Sequence, residues 1–134
     1  MNVEQNRQIL GLAHVGIPTN DIEKTVDFYT GFGFEVLLRT YNEQAGEKVA
    51  FLRMGDYCIE TFENGAAAMA DGAYQHVALD VADIETMYAD MVEGGYTLLT
   101  EGIQFLPFWD HGVDFFMSTI YFRKNLLRNA GRRE

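Results

Sequence analysis

Two stretches of the chain share one pattern of apolar and polar positions. HVGIPTNDIE begins at His14 and HVALDVADIE at His76, an offset of 62 residues. The offset persists downstream: Ile22 corresponds to Ile84, Glu23 to Glu85, Gly33-Phe34 to Gly95-Tyr96 and Leu37 to Leu99. Ungapped self-similarity of this kind marks a duplicated supersecondary unit. In the first copy LAHVGIP alternates small and apolar residues and predicts a strand. Thr19, Asn20 and Asp21 then open a helix, with Glu23 three residues after Asn20 in a capping-box arrangement. Ile22, Val26 and Tyr29 give that helix one apolar face, and Gly31 and Gly33 end it. FEVLLRT, KVAFLRM and YCIETF predict three more strands, with turns over 42–47 and at Gly55-Asp56.

The second copy predicts the same order. QHVALDV reads as a strand, Ile84, Met87, Tyr88 and Met91 line a helix, Gly94-Gly95 closes it and YTLL is the next strand. IQFLPFW and GVDFFMSTIYF supply the remaining strands. The pattern is therefore two βαβββ modules, an α+β fold in which each helix covers one side of a curved, mostly antiparallel sheet. The boundaries are a first module at 9–63, a small-residue linker at 64–73 (within ENGAAAMADGAY), a second module at 74–120 and a tail at 121–134. The two modules pack as one functional domain of 134 residues.

Composition narrows the class. Hydrophobic residues make up 48% and charged residues 22% of the chain, the profile of a soluble globular protein. No apolar run approaches the ~18 residues that span a bilayer, and MNVEQNRQIL lacks the layout of a signal peptide. With Cys58 alone there is no internal disulfide framework, and the cytoplasm is the expected location. The net charge is −10; residues 121–134 hold five basic side chains against Glu134, a net +4, which leaves −14 on residues 1–120. So acidic a body argues against nucleic-acid binding, which needs Lys and Arg on phosphates. It serves solubility or attracts a cationic ligand or a metal.

Candidate chemistry follows from the repeat. His14 and His76 occupy equivalent places on the first strand of each module. Period two puts Leu12, His14 and Gly16 on one sheet face, and the small residues Gly16 and Ala78 leave room beside the histidines. Glu60 stands between Ile59 and Thr61, where an unpartnered carboxylate is costly. A single strand histidine is most simply a hydrogen-bonded core residue. Two related by a repeat, joined by a mid-strand glutamate, suit a divalent metal: Zn, Ni, Co, Mn or Fe. Phe105, Phe108 and Trp109 around Pro107 form either a substrate-binding loop over a cleft mouth or part of the core. Arg39 and Arg53 offer guanidinium groups to a substrate carboxylate, or serve strand-edge solubility. His111 reads as a surface residue and Cys58 as packing.

HVGIPTNDIEKTVDFYTGFGFEV and QHVALDVADIE resemble the vicinal oxygen chelate superfamily, which includes glyoxalase I (lactoylglutathione lyase), bleomycin-resistance proteins, extradiol dioxygenases, fosfomycin-resistance enzymes and methylmalonyl-CoA epimerase. The resemblance covers residues 9 to about 117, and EGIQFLPFWDHGVDFFM is most similar to bacterial lactoylglutathione lyase-related proteins. It implies two modules forming a cleft around a metal, with ligands from the first and last strands of each. Carried over, these are His14, Glu60 and His76. A fourth, a Glu on the last strand after a GPNGExxE-like turn, is expected near 122–127, and copying Glu60 forward by the repeat lands on Phe122. No Asp or Glu occurs between Asp114 and Glu134.

The ending FFMSTIYFRKNLLRNAGRRE therefore departs from the pattern. An altered reading frame, loss of the metal with retention of the fold, and a terminal helix with Phe122 and Leu126 on one face each account for it. The resemblance implies a metal-dependent lyase acting on an adduct of a 2-oxoaldehyde and a thiol, with Glu60 as the remaining candidate base. Without the fourth ligand, activity is expected to be weak or absent, and the metal itself is either held by three ligands and water or lost. The alternatives are a non-catalytic binder of a cationic aromatic drug, like the bleomycin-resistance proteins, and an acyl-CoA epimerase. A homodimer is expected, since relatives build clefts across two chains and exposed sheet edges need covering.

Overall fold

The computed structural model describes residues 8, 10–70, 72–118 and 120–125. The chain divides into two units, Met1–Ala68 and Met69–Glu134, and each is described by itself. The first unit runs β1 (Val15–Thr19), α1 (Ile22–Thr30), β2 (Glu35–Asn42), β3 (Glu47–Met54) and β4 (Tyr57–Glu63). The second runs β5 (Ala78–Asp80), α2 (Ile84–Glu93), β6 (Gln104–Leu106), β7 (Val113–Met117) and β8 (Tyr121–Asn125). Each builds one four-stranded sheet, in the orders β1-β4-β3-β2 and β5-β8-β7-β6. The first strand pairs with the last in parallel and the other pairings are antiparallel. The fold is α+β, a βαβββ unit made twice.

Both helices start on an aspartate. Asp21 accepts the amide of Lys24 at 3.2 Å and Asp83 that of Thr86 at 3.1 Å, each filling one of the donors that a helix start leaves open. The cap of α1 is thus Asp21 and not Asn20, whose side chain instead bonds both backbone groups of Ala67. The amide of Ile22 donates to Glu63 at 2.8 Å, which ties the start of α1 to the end of β4. Ile22, Val26 and Tyr29 are buried, and with Phe34, Ala50, Leu52 and Ile59 they make the first core. Burial pushes the Tyr29 hydroxyl far above its ordinary pKa. In the second unit Ile84 and Met91 of α2 are buried along with Phe116, Phe122 and Ile120, and Tyr88 meets Phe116 edge-on at 5.2 Å.

Several boundaries differ from those read in the sequence. LAHVGIP and QHVALDV shorten to Val15–Thr19 and Ala78–Asp80, so both histidines lie just before their strands. Pairing is the reason: the first partner of β4 is Val15 and the first partner of β8 is Ala78. YTLL is not a strand. It is tied to the end of β7 instead, the Leu99 amide donating to the Met117 carbonyl at 2.7 Å and the Ser118 hydroxyl to the Thr97 carbonyl at 2.7 Å. The edge strand is β6, which stops before Pro107, a residue without an N–H for the ladder.

Residues 121–125, the start of the basic tail, are a strand and not a helix. Alternation decides this: Phe122 is 1% exposed and stacks on Phe116 at 5.1 Å, while Arg123 points to the other face. The remainder of the tail, 126–134, lies outside the described residues.

Candidate functional site

Strand register separates two faces in the first sheet. Ala50, Leu52, Ile59 and Thr61 are buried on the side where α1 packs. On the opposite, open side Gly16 is in register with Glu60, and Glu60 with Phe51. His14 precedes Gly16 by two residues and points the same way. There its Nε2 lies 3.3 Å from Glu60 Oε1, the two side chains being 39% and 30% exposed. The ring of Phe51 meets that of His14 edge-on, at 5.4 Å and 85°, and fixes its tilt. Two of the three sequence-predicted ligands are therefore brought together by adjacent parallel strands.

The spacing fits one divalent ion. Donors bound at ~2.1 Å stand about 3.0 Å apart at a right angle and about 3.4 Å apart at the tetrahedral angle. An imidazole nitrogen and a carboxylate oxygen at 3.3 Å fall within that interval, and their chemistry suits the later first-row metals. Among the described residues no three His, Cys, Asp or Glu side chains lie together as a metal centre. His76 belongs to the second unit, is exposed, and has Nδ1 2.8 Å from Gln75 Oε1. Cys58 lies two residues before Glu60 on the same open face and is half-buried.

Register also relocates the place where a fourth ligand would stand. Gly16 pairs with Glu60, and the repeat equivalent of Gly16 is Ala78, which pairs with Tyr121. The second-sheet counterpart of Glu60 is thus Tyr121. Phe122, one residue on, is the counterpart of Thr61, and both are buried on the helix side. The chain from Ala78 to Tyr121 is thus one residue shorter than that from Gly16 to Glu60.

The other predicted residues scatter. Arg39 is in register with Ala50, on the helix side, and grips Glu23 with both terminal nitrogens. That hydrogen bond lowers the Glu23 pKa and raises that of Arg39. Arg53 is paired with Glu35 at 2.7 Å. Phe105, Phe108 and Trp109 are 56%, 52% and 52% exposed. Phe108 and Trp109 meet edge-on at 5.9 Å, and Trp109 takes the left-handed backbone conformation, φ 61°, which is uncommon for a residue other than glycine. Beneath the Trp109 ring lies the Arg123 guanidinium, 5.1 Å from the ring centre, and Arg123 Nε donates to Asp80 Oδ1 at 2.7 Å. Sequence reasoning missed Asp80 and Arg123. Asp80 is four residues after His76 on the same pleat, but its partner lies 43 positions away and only the β5–β8 pairing reveals it.

A sequence family described as the Glyoxalase/Bleomycin resistance protein/Dioxygenase superfamily matches residues 11–116. Among curated proteins none matches the chain significantly by sequence. Solved structures share the fold. A glyoxalase family protein from Enterococcus faecalis has a TM-score of 0.67 at 24% identity, over 87% of this chain and 97% of that one. A fosfomycin resistance protein, FosX, from Listeria monocytogenes has a TM-score of 0.63 at 18% identity, over 87% and 92%. A glyoxalase I mutant from Zea mays scores 0.65 at 18% identity, over 83% of this chain and 43% of that longer one. The Listeria FosX has also been crystallised in complex with Mn(II) and sulfate. Among the described residues no helix is long and apolar enough to cross a membrane.

Proposed function

The chain belongs to the Glyoxalase/Bleomycin resistance protein/Dioxygenase superfamily, and from that premise we propose a divalent-metal-dependent lyase of the glyoxalase type, with His14, Glu60 and His76 as its metal ligands. The observation that carries the proposal is the 3.3 Å approach of His14 Nε2 to Glu60 Oε1 on the open face of the first sheet. His76 enters by its repeat equivalence to His14. The substrate is an adduct of a 2-oxoaldehyde and a thiol, bearing two neighbouring oxygens. When bound, the metal supplies Lewis-acid stabilisation of negative charge on substrate oxygen. Glu60 takes a proton from one substrate carbon and returns it to the neighbouring one. The β1–β4 pairing holds His14 and Glu60 side by side and limits their reorganisation. Tyr121 stands where a second carboxylate would be expected, so the base work falls on Glu60 alone and turnover is weak or absent. An acyl-CoA epimerase would use the same ligands and the same proton transfer. In this reading two copies of the chain form a homodimer, which covers exposed sheet edges.

A second reading, a non-catalytic small-molecule binder, is favoured by the half-exposed Phe105, Phe108 and Trp109. It needs no metal ligands, and this separates the two. The test is metal content after loading with Ni, Zn, Co or Mn, compared among the wild type, His14→Ala, Glu60→Gln and His76→Ala. Loss of a ligand is expected to lower metal affinity tenfold or more (the order of effect known for disturbed metal sites). Full metal content in both histidine variants, or no uptake by the wild type, overturns the lyase proposal and leaves the binder.

A further inference from the structure

In the second sheet, Asp80, Arg123, Phe115 and Gln104 stand in one cross-strand row, each in register with the next. Residues in register share a face. The row faces away from α2, because the alternate residues Phe116 and Phe122 are buried on the helix side. Within it the guanidinium of Arg123 is held twice. Nε donates to Asp80 at 2.7 Å, and the Trp109 indole covers the group at 5.1 Å. Arg123 is 22% exposed, so both contacts form in a partly desolvated setting. Trp109 keeps its place at the cost of a left-handed backbone, φ 61°.

Five N–H groups project from a guanidinium. Asp80 takes the one on Nε; among the described residues, no protein acceptor meets Nη1 or Nη2. What remains is the terminal fork, whose planar spacing matches two oxygens of one carboxylate. We propose that this fork is a carboxylate-binding subsite, taking a small monocarboxylate whose apolar part lies against Phe115. The charges favour a monoanion over a phosphate dianion: Asp80 already offsets one positive charge, and the chain carries a net −10. Arg123 thus fills the role that the sequence offered to Arg39, whose terminal nitrogens are engaged by Glu23. The subsite lies wholly in the second unit and needs no metal, so it stands or falls apart from the lyase reading.

The chain's single tryptophan is Trp109, which makes its fluorescence a direct reporter. The experiment titrates chelator-treated full-length protein with phenylacetate, its neutral amide phenylacetamide, and inorganic phosphate. Phenylacetate is expected to change the emission saturably, and the other two are not. Arg123→Met is expected to weaken phenylacetate binding about tenfold or more, and Arg123→Lys, which keeps the charge but loses the fork, about threefold or more. Circular dichroism checks that each variant folds, and Arg123→Lys carries the test if Arg123→Met does not. Equal binding of acid and amide, preference for phosphate, undiminished affinity in a folded variant, or no saturable response of the wild type to phenylacetate each overturns the proposal.

Discussion

The helices of the two units end alike. The Gly33 amide donates to Thr30 and that of Phe34 to Tyr29, while 62 residues on Gly95 donates to Val92 and Tyr96 to Met91. Gly33 and Gly95 both take positive φ, at 108° and 79°. The open faces, by contrast, have different chemistry. The first presents His14 against Glu60, and the second presents Asp80 against Arg123 beneath Trp109. Glu60 and Tyr121 hold equivalent backbone positions, as do Phe62 and Arg123. The repeat preserves what the backbone needs, namely caps, turns and strand order. The side chains on the open pleat differ: one unit presents an imidazole beside a carboxylate, and the other presents a positioned guanidinium.

The core position shared by Thr61 and Phe122 tests that contrast most strongly. Both residues are buried, but Phe122 stacks on Phe116, whereas the Thr61 hydroxyl has no hydrogen-bond partner among the described residues. Phe122→Ala is expected to destabilise the protein by about 3–5 kcal/mol. Thr61→Val exchanges the unpartnered hydroxyl for a methyl group of similar size and is expected to stabilise it by about 1 kcal/mol. Chemical denaturation measures both. A loss under ~1 kcal/mol for Phe122→Ala would mean that β8 is not part of the cooperative core.

Local periodicity made the scaffold legible in advance. The spacing of Ile22, Val26 and Tyr29 gave the face of α1, and the offset between HVGI and HVAL gave the duplicated unit. Strands were legible where they run long, as in β2, β3 and β4. They were less so in the second unit, where β5 and β6 are three residues each and too short to show alternation. His14 and Glu60 were legible as a pair because the repeat and the mid-strand carboxylate pointed to one face. Asp80 and Arg123 were not, because a contact across 43 positions leaves no local trace. The position opposite Ala78 was misplaced by one residue for a related reason. A fixed offset cannot anticipate that the chain from Ala78 to Tyr121 is one residue shorter than that from Gly16 to Glu60, and one residue in a strand changes the face.

The hairpins offer a comparison of intermediate size. Gly55 turns β3 into β4 at φ 57° with open space around a would-be side chain. Gly112, at φ 86° before β7, lies under the ring of Phe105, where a Cβ would come within 2.4 Å of ring carbons. Gly112→Ala is expected to cost about 2–4 kcal/mol, strain and steric conflict together. Gly55→Ala meets only the backbone preference and is expected to cost about 1 kcal/mol. Thermal denaturation of the two variants ranks them. If they lose equal stability, the Phe105 ring moves aside readily and does not brace this turn.

The helix caps provide the finest contrast. Asp21 receives the amide of Lys24, whereas Asp83 receives both the amide and the hydroxyl of Thr86, the latter at 2.9 Å. These bonds, led by the amide, hold the Asp83 carboxyl below its usual pKa. Because the folded value is depressed, the cap's contribution is present above the unfolded value of ~3.9 and is lost as pH falls through the folded one. Asp83→Asn retains a good capping side chain without a titrating group. Below pH ~4 the variant is therefore expected to lose less thermal stability than the wild type, with little difference near neutrality. Thr86→Val removes the hydroxyl and leaves the amide without adding charge, and a carboxyl-resolved NMR titration should show the Asp83 pKa rising toward its ordinary value. An unchanged titration would assign the depression to the backbone amide alone.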